Sequence, residues 1–223
     1  MSRQNVSAIS RHAESVLATN KVLRNTYILL GLSFLFSALM AFFSTASGVR
    51  SINPLLFIVG AYGLMFLTHA LQNSVWGLAA VFAFTGFMGY ALGPVLNAVS
   101  HLHNGAQIIG VALGGTGMIF FALSAYALIT RKNFSYLAGF LFAAMMAVFL
   151  VMIAGIFFQM PALQLIISAA FMLISSGLIL FQTSEIIHGG ETNYIAATVS
   201  LFVSIYNLFI SLLNLLSAFS NRD

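Results

Sequence analysis

Only four acidic residues occur in the 223-residue chain, and two of them, Glu185 and Glu191, fall in one stretch, Phe181 to Tyr194, which reads FQTSEIIHGGETNY. Gln182, Glu185 and His188 follow at steps of three, so they share one side of a helix. A carboxylate near an imidazole can exchange protons or hold a cation, and a carboxylate among apolar residues needs protein or water as a partner. His69 ends another apolar run, at a depth matching that of Glu185 once the runs are threaded back and forth through a bilayer. The placement sketches a proton-responsive histidine and glutamate cluster; simple hydration of Glu185 at the membrane surface is the competing reading. Further polar residues recur with helical period. Ser200, Ser204, Asn207, Ser211 and Asn214 step by four, three, four and three, while Ser168, Ser175 and Gln182 step by seven. At about 100° per residue each set keeps to one narrow face. Such stripes serve either as hydrogen-bonded glue between helices or as the wall of a water-lined path.

Other chemistry is thinly represented. His101 and His103, in SHLHNG, have no acid or cysteine nearby to complete a metal site, and they read as a surface loop. Cysteine is absent, which excludes disulfides, thiolate metal sites and a cysteine nucleophile. No G-x-S-x-G, H-E-x-x-H or phosphate-loop pattern occurs, and Asp223 is the sole aspartate, so a paired-aspartate protease is impossible. The residues point to no enzyme, no cofactor and no metal.

The elements that hold these groups are membrane spans. The chain is 61% hydrophobic and 5% charged, against about a quarter charged in a soluble domain. Apolar runs divide it into seven spans at about 26–46, 54–71, 75–98, 107–129, 135–158, 162–187 and 193–218, each near the length of about 20 residues that crosses a bilayer. The fold class predicted is an all-α integral membrane protein, a seven-transmembrane-helix bundle in residues 25–223 preceded by a polar tail, 1–24. The first apolar run is of full transmembrane length, so it reads as a retained anchor and not as a cleaved leader. Pro54 and Pro161 suit helix starts, and Pro94 is expected to bend or end the third span. His188 to Glu191 form a tight turn, after which Thr192 and Asn193 are placed to cap the seventh helix. Gly110 and Gly114 form G-x-x-x-G with Gly117 a turn further, a face expected to pack inside the bundle in preference to a dimer seam.

Charge gives an orientation. Arg3, Arg11, Lys21, Arg24, Arg131 and Lys132 gather on the side of the N-terminus, and Arg50 and Arg222 on the other. The positive-inside rule then puts the N-terminus in the cytoplasm and the C-terminus outside. The net charge of +4 thus reports topology and no nucleic-acid partner.

Several segments resemble a known family. KVLRNTYILLGLSFLFSA resembles the entry into the first helix of the Bax inhibitor-1 family, also called the transmembrane Bax inhibitor motif family, and LGPVLNA and YIAATVSLFVSIYNLFISLL resemble its third and last helices. HGGETNYIAATVSL and MPALQLIISAAFMLISSG are similar to its bacterial YccA branch. The resemblance implies a seven-helix fold and a non-enzymatic regulator of an FtsH-type protease, an ATP-driven enzyme that extracts membrane proteins by an exposed cytoplasmic end. Proteins of this branch are similar to slowly degraded substrates that occupy the protease. In that reading the tail, with Ser2, Arg3, Arg11, Glu14 and Lys21, is the handle; otherwise it is a topogenic signal. The partners implied are the protease, its associated membrane proteins and the bilayer. Family members with a calcium leak carry an aspartate in an aromatic-Asp-Thr motif on helix six and another opening Asp-Ile-x-Asn-Leu-Phe on helix seven. Gln182 and Ser204 stand at those positions here, so both carboxylates are missing. The alternative function, a pH-sensitive calcium or proton leak with weak ion binding, would rest on Gln182, Glu185, Ser204, Asn207 and His69.

Overall fold

The computed structural model describes the backbone of residues 3–157 and 160–220. Seven helices follow in order: α1 (Arg3–Ala46), α2 (Pro54–Leu71), α3 (Trp76–Ser100), α4 (Gly105–Thr130), α5 (Leu137–Phe157), α6 (Pro161–His188) and α7 (Tyr194–Ser220). Each contains a segment long and apolar enough to cross a membrane. In hydrocarbon every backbone N–H and C=O must find a partner within the protein, and a helix satisfies both internally.

The largest departure from the sequence expectation is α1. It runs as one helix of 44 residues, about 66 Å at 1.5 Å per residue, although its apolar part begins only at Thr19. No boundary falls at residue 24, and the segment from Arg3 is helical where a loose tail was expected. The reason is local: no glycine precedes Gly31 and no proline precedes Pro54, so nothing in the polar segment interrupts the helix. Of the two outcomes expected at Pro94, an end to the helix does not occur: α3 continues through it to Ser100. Ending a helix at membrane depth would orphan more backbone groups than the one N–H that proline removes.

Helix α7 forms the centre, packing on α1, α2, α3, α4 and α6, whereas α5 packs on α6 alone. A close approach joins α1 to α3 and depends on three glycines. A Cβ at Gly89 would overlap the Ser37 carbonyl, one at Gly93 would strike the Ser44 side chain, and one at Gly86 the Phe36 ring. The G-x-x-x-G of α4 does the opposite. Gly110 and Gly114 are exposed, and added Cβ atoms at Gly110, Gly114 and Gly117 would meet nothing within 4 Å. The inward face of α4 is Ile108, Ala112, Thr116, Phe120, Ser124 and Ala127. Ala112 and Thr116 repeat the same four-residue spacing, so small size alone did not select the packing face.

Candidate functional site

The polar stripes of α6 and α7 meet at one hydrogen bond. Ser204 Oγ, almost completely buried, donates to Gln182 Oε1 at 3.0 Å and also lies 3.0 Å from the Ser200 carbonyl. Both partners are neutral, so the contact joins two helices without a charge. Ser168, Ser175 and Ser211 are buried, Ser200 and Asn207 half-buried, and Asn214 exposed. On α7 the stripe stays at least partly inside the bundle from Ser200 to Ser211 and leaves it at Asn214.

Glu185 and His69 are not brought together. His69 is exposed on α2, which packs on α3 and α7 and not on α6. The threading order fixes the depth of a residue but not the side of the bundle it occupies. Glu185 turns to the loop between α4 and α5, where its Oε1 accepts a hydrogen bond from Ser135 Oγ at 3.0 Å. The same serine hydroxyl contacts Asn133 Oδ1.

Ser184, which the sequence reading did not single out, and His188, which it grouped with Glu185, hold the rest of that loop. Ser184, fully buried, accepts at Oγ from the Phe134 N–H at 3.0 Å and donates to the Lys132 carbonyl at 3.2 Å. His188 Nε2 lies 3.1 Å from the Arg131 carbonyl, and Nδ1 lies 2.8 Å from the Ser184 carbonyl and 3.3 Å from Ser184 Oγ. Arg131 itself is left-handed at φ 48°, the sole non-glycine residue with positive φ among the described residues. That conformation ends α4 through an Arg131 N–H to Ala127 carbonyl bond and belongs to the segment that α6 grips. The available signal was the four-residue spacing of Ser184 and His188, which puts them on one face.

The turn after α6 ties a third loop to this end. Gly189, at φ 76°, closes the helix, and the N–H groups of Gly190 and Glu191 donate to the Glu185 carbonyl at 2.8 and 3.2 Å. Asn193 is the cap of α7: its Oδ1 accepts from the Ile195 and Ala196 N–H groups at 2.9 and 3.3 Å. Thr192 is exposed. Glu191 Oε1 accepts from the Asn193 N–H at 2.7 Å, holding the cap in place. Asn193 Nδ2 donates to the Gln72 carbonyl at 3.1 Å and to Asn73 Oδ1 at 2.9 Å, which fastens the α2–α3 loop. Of the handle residues, Arg3, Arg11 and Glu14 stand on the helical extension of α1, Lys21 is exposed nearer the span, and Ser2 lies outside the described residues.

Fold and site together define a multi-pass membrane protein: a seven-helix bundle with a neutral polar seam between its last two spans and hydrogen-bonded loops at one end. Residues 19–221 match the family described as inhibitor of apoptosis-promoting Bax1, and the chain belongs to this family, the Bax inhibitor-1 family. It is 55% identical to the modulator of FtsH protease YccA of Escherichia coli strain K12, over 96% of this chain and 97% of that one. The same figures hold for a protein of Escherichia coli O6:H1 named inner membrane protein YccA. An uncharacterized protein of Pasteurella multocida is 53% identical over 94% of both chains.

Proposed function

We propose that this chain sits in the bacterial inner membrane and modulates an FtsH-type protease, engaged by the N-terminal segment of α1 as a slowly processed substrate. The observation that carries this reading is the 55% identity, over nearly the whole chain, with an Escherichia coli protein named as a modulator of that protease. The Lys/Arg distribution supports an N-terminus in the cytoplasm and a C-terminus in the periplasm. The helical start of α1 refines how engagement begins. The polar extension, from Arg3 to the residue before Thr19, is little longer than about 12–15 residues, the length below which a helix barely holds in water without packing partners, and its first turn lacks intrahelical partners for its N–H groups. Fraying therefore supplies the loose end that a pulling enzyme needs. Resistance comes next, because span one is locked on α3 by close backbone contact and packs on α7 as well. Slow processing follows from an accessible start joined to a well-held load.

Deleting residues 1–20 tests the handle. The truncated protein is expected to stay folded and to outlive the full chain in cells containing the protease; equal half-lives would sink the handle. Pull-down and crosslinking from native membranes test the partner itself, and a C-terminal reporter active only in the cytoplasm should stay silent. A leak channel is the second reading, favoured by the buried hydroxyls of Thr26, Ser124 and Thr183, which lack partners among the described residues and suit bound water. It would use Gln182, Glu185, Ser204 and Asn207, with His69 standing apart. Purified protein in liposomes that passes neither calcium nor protons at any pH would remove it.

A further inference from the structure

The buried side-chain oxygens of Thr26, Tyr27, Ser33, Ser44, Ser124 and Thr183 have no hydrogen-bond partner among the described residues. Leaving a hydroxyl unpaired inside a protein is costly. On a helix the local remedy is the carbonyl four residues back. Thr68, Thr116, Thr198 and Ser217 all take it, at 2.7 or 2.8 Å. The same acceptor stands behind Ser124 and Thr183, on Phe120 and Ile179, and neither hydroxyl bonds to it. Thr26, Ser33 and Ser44 lie on one face of α1, at steps of seven and eleven, and Gly93 of α3 closes down on that face at Ser44.

Tyr27, Ser124 and Thr183 differ because they come from three helices. They stand near the start of the span in α1, near the end of α4 and near the end of α6, which the threading brings to one end of the bundle. Helices α1 and α4 both pack on α6 and α7, yet not on each other. The gap between them is crossed by two rings, Tyr27 and Phe120, stacked with centroids 5.9 Å apart. Ser124 follows Phe120 by one turn on the same buried face. Thr183 stands between Ile179 and Ile186, on a face of α6 sunk in the same core. A helical side chain leans toward the N-terminus of its helix, so Tyr27 leans to the end where Ser124 and Thr183 sit.

We propose that this junction of α1, α4 and α6 is a binding site for ordered water, with the hydroxyls of Tyr27, Ser124 and Thr183 as its partners. A buried water makes about three hydrogen bonds, and each hydroxyl both donates and accepts. The three groups are neutral and offset no cation, and the nearby carboxylate, Glu185, turns away to Ser135. The water joins α1 to α4 by polar contact where their backbones stay apart, and the assignment stands whether or not the chain is pulled by its N-terminus.

The sign of a substitution tests the site. Removing a hydroxyl that stands dry relieves a penalty and raises stability, whereas removing one that holds water breaks a bond. Tyr27→Phe, Ser124→Ala and Thr183→Val, each keeping nearly the native shape, should lower the folded-to-unfolded ratio in mixed micelles about fivefold, the equivalent of one hydrogen bond. Tyr27→Phe combined with Ser124→Ala should lose less than the product of the two single losses, because the shared water leaves with its first partner. Ratios unchanged or raised, or losses that multiply in full, would overturn the proposal. Radiolytic footprinting of the unsubstituted chain in bilayer nanodiscs covers the case of a variant that does not fold. With a bulk radical scavenger present, radicals made from the bound water should still label Phe120, while Phe84 of α3, buried edge-on against Phe202 of α7, stays unlabelled. No excess of label on Phe120 over Phe84 rules the site out.

Discussion

The α1–α3 contact and the α6 end of the bundle hold the molecule together by opposite means. Between α1 and α3 side chains are removed until two backbones nearly touch, with Gly86, Gly89 and Gly93 against Phe36, Ser37 and Ser44. At the α6 end side chains are added, and Ser184, Glu185 and His188 reach across to a loop that has no helix of its own to satisfy it. Lipid offers little drive for apolar side chains to associate, so a span gains either by close approach or by polar contact. The first solution is rigid and independent of pH. The second is a set of separable bonds, each of which can be lost alone.

Substitutions can break that contrast. Gly89→Val drives a side chain into the Ser37 carbonyl and should destabilise the bundle by about 3 kcal/mol, at the upper end of overpacking effects. Gly114→Val on the outward face of α4 should change little, and unfolding midpoints of the two variants, measured side by side, decide whether the packing glycines are those of α3. Ser184→Ala leaves the Phe134 N–H and the Lys132 carbonyl without their partner and should lose about 2 kcal/mol, with faster exchange confined to the α4–α5 loop. Arg131→Gly should move the other way by about 1 kcal/mol, because glycine adopts the left-handed conformation without strain; an unchanged or lowered midpoint would contradict it. Ser204→Ala is expected to be the mildest, about 0.6 kcal/mol, typical of a hydrogen bond between spans. Equal losses for Ser184→Ala and Ser204→Ala would erase the distinction between a loop clamp and a seam within the bundle.

Much of this was legible in the residues, and the part that was not has one cause. Apolar length located the spans, Pro54 and Pro161 marked two helix starts, and Gly189 with Asn193 marked the turn before α7. All of these depend on neighbours in the chain. What sequence could not give was the direction in which each helix turns its faces. Gly110 and Gly114 had the familiar spacing and point outward, whereas Gly86, Gly89 and Gly93 do the packing. His69 had the depth of Glu185 and stands against different helices. Ser184 and His188 passed unnoticed as partners because their acceptors, the carbonyls of Arg131 and Lys132, belong to the backbone and have no signature in residue type.

The central position of α7 has a consequence for how the protein is made. Five helices pack on it, and of the seven helices it is the last to leave the ribosome. Until it inserts, Ser204 is not there to meet Gln182, Asn193 is not there to hold the α2–α3 loop, and six spans lie in the membrane around an unfilled centre. The newborn chain is thus an incomplete bundle with α1 already in place, and it becomes difficult to dismantle only once α7 has inserted.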